Sequence, residues 1–213
     1  MLELLGKLME RIGEVNEILA FVVAILSIAI YFTPLNLYNL FVRHEQFQPL
    51  FGFAFPLIAA TLAIVPHELA HRQVARKYGC FSRFYLFPQG FIFTLVLNLV
   101  SPFGIFASGF TGISCNPFYD MSERDRISGL TSLAGPATNM VISVVFIAMS
   151  YSLASYIPFY YVYVFREVAA LSSFVAFFNL IPIGPLDGSK VMKWNQGLWL
   201  GVIVLAFLLY FYL

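Results

Sequence analysis

Charged residues are scarce: they make up 11% of the 213 residues, less than half of the ~25% usual in soluble domains. That excludes a chain built mainly of soluble domain. Acidic and basic residues nearly cancel, 11 against 12, so no basic surface for nucleic acid is expected. Cysteine is almost missing. Cys80 and Cys115 are too far apart in sequence for a CxxC metal motif, and they are expected to be small residues packed in the interior rather than a disulfide. There is no internal repeat and no low-complexity linker. No cleavable leader is expected either, because the mixed-charge opening "MLELLGKLMERIGEVNE" lacks a short apolar core followed by a small-residue cleavage site.

What is abundant is apolar: 60% hydrophobic and 18% aromatic residues. Several apolar stretches reach the ~20 residues needed to cross a bilayer core. The expected fold is an all-α membrane protein, a polytopic helical bundle of about five spans. Residues 1–17 read as an amphipathic helix with Leu2, Leu5, Leu8, Met9 and Ile12 on one side, suited to lie on a membrane surface or a partner. Residues 18–46 hold a first span and an outer loop, 47–193 form the core, and 194–213 a C-terminal span. Within the core, spans are expected over 47–79, about 128–153 and up to about Ile181. Residues 84–119 are apolar but rich in β-branched and aromatic residues, and broken by Pro102 and glycines. They are read as a membrane-re-entrant β-hairpin, with Thr94 and Asn98 on one alternating face of a strand at 91–99. Such backbone needs cover from protein or a water-filled cavity. With the N-terminus in the cytoplasm, ten lysines and arginines fall inside and only Arg43 and Arg166 outside, which sets the expected orientation of this multi-pass protein.

The stretch "VPHELAHRQVARKYG", residues 65–79, ends the second apolar run. His67 and His71 are four apart, so a helix carries both on one face. Two imidazoles so placed can share one zinc ion, and Glu68 lies on the same turn. In HExxH proteases the glutamate does not bind metal. It takes a proton from water and delivers it to the leaving amine, while zinc lowers the pKa of that water towards ~7. The plainer reading is an interfacial helix end whose histidines have no function. Against it stands depth: an ionisable residue beside "FPLIAATLAIVP" costs ~3 kcal/mol to insert.

A catalytic zinc site usually has three protein ligands and one open position. His44 is a poor third ligand, because the topology puts it on the outer side. Asp187 lies in "FNLIPIGPLDGSKV" after the fourth span, where Pro182, Gly184, Pro185 and Gly188 interrupt the helix at the level where the second span ends. It is the best third ligand; the alternative is an N-cap for a helix beginning near Gly188.

These stretches together resemble the site-two protease family of intramembrane metalloproteases, which carries HExxH on one membrane helix and NxxPxxxLDG on a later one. The matching residues are His67, Glu68 and His71, then Asn179, Pro182, Leu186, Asp187 and Gly188. A third family element, GPxxN, is present as Gly135, Pro136 and Asn139. The resemblance covers residues 50–193. It implies zinc held by His67, His71 and Asp187, with Glu68 as general base and acid, and hydrolysis of transmembrane protein substrates within or at the edge of the lipid bilayer. Ala70 and Ser189 replace glycines common in the family, and neither removes a catalytic group. A PDZ-like or nucleotide-sensing domain is not expected.

Asn139 and Asn179 each have two readings. One is an interhelical hydrogen bond, worth ~0.6–2 kcal/mol; the other is a contact to the substrate backbone or developing oxyanion. A strand at 91–99 would offer its edge, near Thr94 and Asn98, to an unwound substrate. The rival function from the same ligands is a divalent-metal transporter or metal-dependent membrane sensor. It has no use for Glu68 and often shows paired repeats, which are absent here. A second rival is a catalytically dead relative that binds membrane helices, against which the intact HExxH and Asp187 argue.

Overall fold

Apolar runs away from water must pair their backbone groups within their own segment, and helices do this most simply. In the computed structural model the elements are α1 (Glu17–Ala29, continued by a tight turn Ile30–Phe32), α2 (Phe55–Lys77, entered by a wide turn Leu50–Ala54), β1 (Phe81–Leu86), α3 (Pro88–Val100), β2 (Gly109–Ser114), α4 (Met121–Ser152), α5 (Phe159–Leu180), α6 (Asp187–Trp194) and α7 (Gln196–Phe211). The residues described are 15–33, 35–37, 41, 50–101, 104–115 and 119–212. The expected surface helix lies outside them except for its last three residues, as does His44.

This is a helical membrane protein. Among the described residues, three helices are long and apolar enough to span a bilayer: Gly52–Lys77, Met121–Ser152 and Phe159–Leu180. The expected first and last spans are shorter apolar helices, Glu17–Phe32 and Gln196–Phe211. The chain divides into two units, one made of Met1–Thr61 with Arg83–Gly112, the other of Leu62–Ser82 with Ile113–Leu213.

The first unit holds α1, α3 and most of a two-stranded antiparallel ribbon, β1 with β2. A two-stranded hairpin is therefore present, but its strands flank the segment expected to form them. Residues 91–99 lie inside α3. The misreading has a physical cause. Thr94 and Asn98 are four apart, a spacing that shares a face in a strand and in a helix alike. Pro88 in the first turn fits a helix start, and tertiary bonds override the β propensity of the run. Thr94 and Asn98 are fully buried. Thr94 Oγ1 accepts from Ala107 N at 3.0 Å. Asn98 Oδ1 accepts from Ile105 N at 2.8 Å, and its Nδ2 donates to the carbonyls of Ile105 and Ser27 at 3.0 Å each. Both side chains pin the chain that returns after α3, so neither offers a strand edge to a substrate.

In the second unit α4 and α5 run antiparallel. Ser143 Oγ donates to the Ala169 carbonyl at 2.8 Å, and Phe146 meets Phe165 edge-on. The interface is rich in buried small residues, including Ser143, Ala169, Ser172 and Ala176, which let apolar helices approach closely. Leu180, Ala176 and Ala206 join α5 to α7, and Trp199 Nε1 on α7 donates to the Leu180 carbonyl at 2.9 Å.

α2 stops at a glycine in the left-handed region, Gly79 at φ 68°. Cys80 N donates to the Ala75 carbonyl and Gly79 N to that of Arg76, and Cys80 packs back on Ala75, a Schellman ending. Cys80 is disulfide-bonded to Cys115, which corrects the expectation of two unlinked packed residues. The ribbon brings them together: Phe87 N donates to the Ser108 carbonyl at one end, and the antiparallel register sets residue 80 opposite 115 at the other. The bond ties the end of α2 to the strand that leads to α4. A bridge of this kind contributes about 2–4 kcal/mol. Reductant, or paired Cys80→Ser and Cys115→Ser, should therefore lower the thermal midpoint by ~5–15 °C. An unchanged midpoint in a melt followed by circular dichroism would show the bond to be inconsequential.

Candidate metal centre

His67 and His71 lie on one face of α2, their rings edge to face at 4.7 Å between centroids. Both are buried. Asp187 opens α6, and its Oδ2 lies 3.5 Å from His67 Nε2 and 3.1 Å from His71 Nε2. Its other oxygen faces Lys190 Nζ at 3.9 Å. His71 Nδ1 sits 2.7 Å from the carbonyl oxygen of Thr131 on α4. His67 Nδ1 is buried and has no hydrogen-bond partner among the described residues.

A short interruption delivers Asp187. α5 ends at Leu180, and the chain turns through Gly184 at φ 49°. Ser189 Oγ donates to the Gly184 and Leu186 carbonyls at 3.0 and 2.7 Å, closing the turn. Leu186 occupies the N-cap and makes no side-chain cap bond. Asp187 thus lies inside the helix, and the capping alternative does not hold. Gly188 lets α6 dock on the end of α5: a Cβ there would lie 2.8 Å from the Ile181 carbonyl oxygen and nearer still to the carbonyl of Leu180. Gly188→Ala should push α6 away, and Asp187 with it. Its expected effect is a ~10–100-fold loss of zinc affinity, the size seen when an outer-shell support of a metal site is removed. Competition with a coloured chelator measures this; unaltered affinity would mean that α6 tolerates the methyl group.

Burial pushes the Asp187 carboxyl up, but the positive charge of a protonated His71 and the contacts with both histidine rings outweigh it, holding the group below the usual carboxylate range.

The donor set fits zinc. Two imidazole nitrogens and one carboxylate oxygen are a familiar catalytic set, and ligands ~2.0–2.1 Å from a tetrahedral centre stand about 3.4 Å apart. The two nitrogen–oxygen separations bracket that spacing, and the three residues are the group of potential metal ligands among those described. Glu68 is half-buried beside them.

Asn139 follows Gly135 by one turn of α4. It is fully buried, and neither its Oδ1 nor its Nδ2 has a hydrogen-bond partner among the described residues. Asn179 instead turns onto its own helix, Nδ2 donating to the Val175 carbonyl at 3.0 Å. The sequence reading missed the Thr131 carbonyl, a backbone group that no side-chain motif can announce.

Apolar helices around a buried His–His–carboxylate group with a neighbouring glutamate define a membrane protein with a candidate metal site. Over 197 residues the chain is 32% identical to a protein of Methanocaldococcus jannaschii named "Putative zinc metalloprotease", covering 92% of this chain and 94% of that protein. No family model and no solved structure matches. The chain belongs to the zinc metalloprotease family of that relative, in keeping with the motifs shared with the site-two proteases. His67, His71 and Asp187 are residues that could hold such a metal.

Proposed function

We propose that the protein is an intramembrane endopeptidase of the site-two type, hydrolysing peptide bonds in or near transmembrane segments of other proteins. The observation that carries the reading is placement: His67, Glu68 and His71 lie within a helix, Gly52–Lys77, that is long and apolar enough to cross a bilayer. His67, His71 and Asp187 hold the metal. Zinc bound there supplies Lewis acidity, acidifying water and polarising a peptide carbonyl. Glu68 takes the proton of the attacking water and returns it to the departing amine. Asn139, buried with both polar atoms unpaired among the described residues, is the candidate to bond a substrate carbonyl. Asn179 is weaker in that role, since its amide is already bonded to Val175.

A transmembrane substrate hides its amides in helical hydrogen bonds, so it must unwind before attack. Helix-breaking residues near the cleavage point should favour cleavage. The lysine and arginine bias favours an N-terminus and an access to the site in the cytoplasm. The disulfide pulls the other way, because such bonds persist mainly in oxidising compartments. Labelling of single introduced cysteines from each face decides the orientation.

The test uses purified protein in bilayer discs with a panel of membrane-helix substrates, with and without a zinc chelator. Cleavage within the apolar segment, abolished by the chelator and restored by zinc, is expected. Metal flux into liposomes without any proteolysis would replace this reading with a transporter.

A further inference from the structure

A metal-binding histidine has a second ring nitrogen, and the partner of that nitrogen decides where the proton sits. For His71 the partner is the Thr131 carbonyl at 2.7 Å. A carbonyl can only accept, so Nδ1 holds the proton and donates it. Nε2 is the atom left to face Asp187. One turn further along α4, Gly135 lies against the same atoms. A Cβ there would be 2.6 Å from His67 Nε2 and closer still to His71 Nε2. Zinc–nitrogen bonds are ~2.0–2.1 Å long, so a methyl carbon at that point would fill the space beside both coordinating nitrogens. Pro136 comes next, inside the helix. It cannot donate to the Ser132 carbonyl, and its ring crowds that turn. The turn of α4 that meets both imidazoles is thus the one whose regular bonding is interrupted.

We propose that residues Thr131 to Pro136 form a positioning element of the zinc centre: the Thr131 carbonyl fixes the ring state of His71, and the missing side chain of Gly135 keeps clear the space beside the coordinating nitrogens. The proposal rests on the reading of His67, His71 and Asp187 as a zinc site. It adds a function for two residues that supply no ligand atom.

Two measurements on the full chain test it. Gly135→Ala should lower zinc affinity by ~10–100-fold or more, while the zinc-free protein keeps its helical content. Alanine is the better helix former, so any loss must come from where the methyl group sits. Nitrogen-15 NMR of ring-labelled histidine in the unsubstituted, zinc-loaded protein should show His71 protonated on Nδ1 and metal-bound through Nε2. It needs no substitution and so holds even where Gly135→Ala does not fold. Wild-type zinc affinity in Gly135→Ala, or a His71 bound through Nδ1, would overturn the proposal. Failure of the underlying site reading looks different: the unsubstituted protein itself would hold no zinc.

Discussion

Glu68→Gln should bind zinc as the unsubstituted protein does and lose turnover by ~10²–10⁴-fold. The substitution keeps the length and shape of a half-buried side chain and supplies no metal ligand to lose. What it removes is a group able to take a proton and give it back. Hydrolysis needs both acts, the first as water attacks and the second as the amine leaves, so the amide fails twice. Zinc and the rest of the site still polarise the carbonyl and hold the substrate, which leaves a measurable residual rate. Metal content by elemental analysis and initial rates on one membrane-helix substrate give the two readouts. Near-normal cleavage with full zinc would exclude Glu68 as the proton carrier. Loss of both together would instead make Glu68 a support of the site.

The grouping of potential metal ligands was legible in the sequence because its logic is local. His67 and His71 share a face by helical periodicity alone. Asp187 stood out because Pro182, Gly184 and Pro185 left an acid at a broken helix end, and the structure brings its oxygen within 3.5 Å of both imidazoles. The failures arose where tertiary contacts decide. Thr94 and Asn98 satisfy strand and helix periods equally, and only the bonds to Ala107, Ile105 and Ser27 select the helix. The disulfide depends on ribbon pairing that sets residue 80 opposite 115, a register that the separation of the two cysteines could not disclose. The close approach of Gly135 to both rings is likewise a property of two helices, not of either one.

Asp187→Ala should take the zinc content of the purified protein from near one per chain to a small fraction of that. On the proposed reading the carboxylate is the one acidic group among the three ligands. Its removal would delete one of three coordination bonds and also the negative charge that offsets a divalent cation in a buried place. Loss of a mere outer-shell support costs ~10–100-fold in affinity, so loss of a direct ligand should exceed that range. Asp187→Asn separates the two contributions. The amide preserves the side-chain shape, and the Leu186 N-cap makes no use of the aspartate, so α6 should form in both variants. What the asparagine lacks is charge and ligand strength. Zinc titration followed by thermal melts should therefore rank the unsubstituted protein well above Asp187→Asn, and Asp187→Asn above Asp187→Ala. Zinc-dependent stabilisation should fall in the same order, because a metal that binds only the folded state raises the midpoint in proportion to the logarithm of its affinity. Full zinc and full activity in Asp187→Ala would mean that the third ligand lies elsewhere.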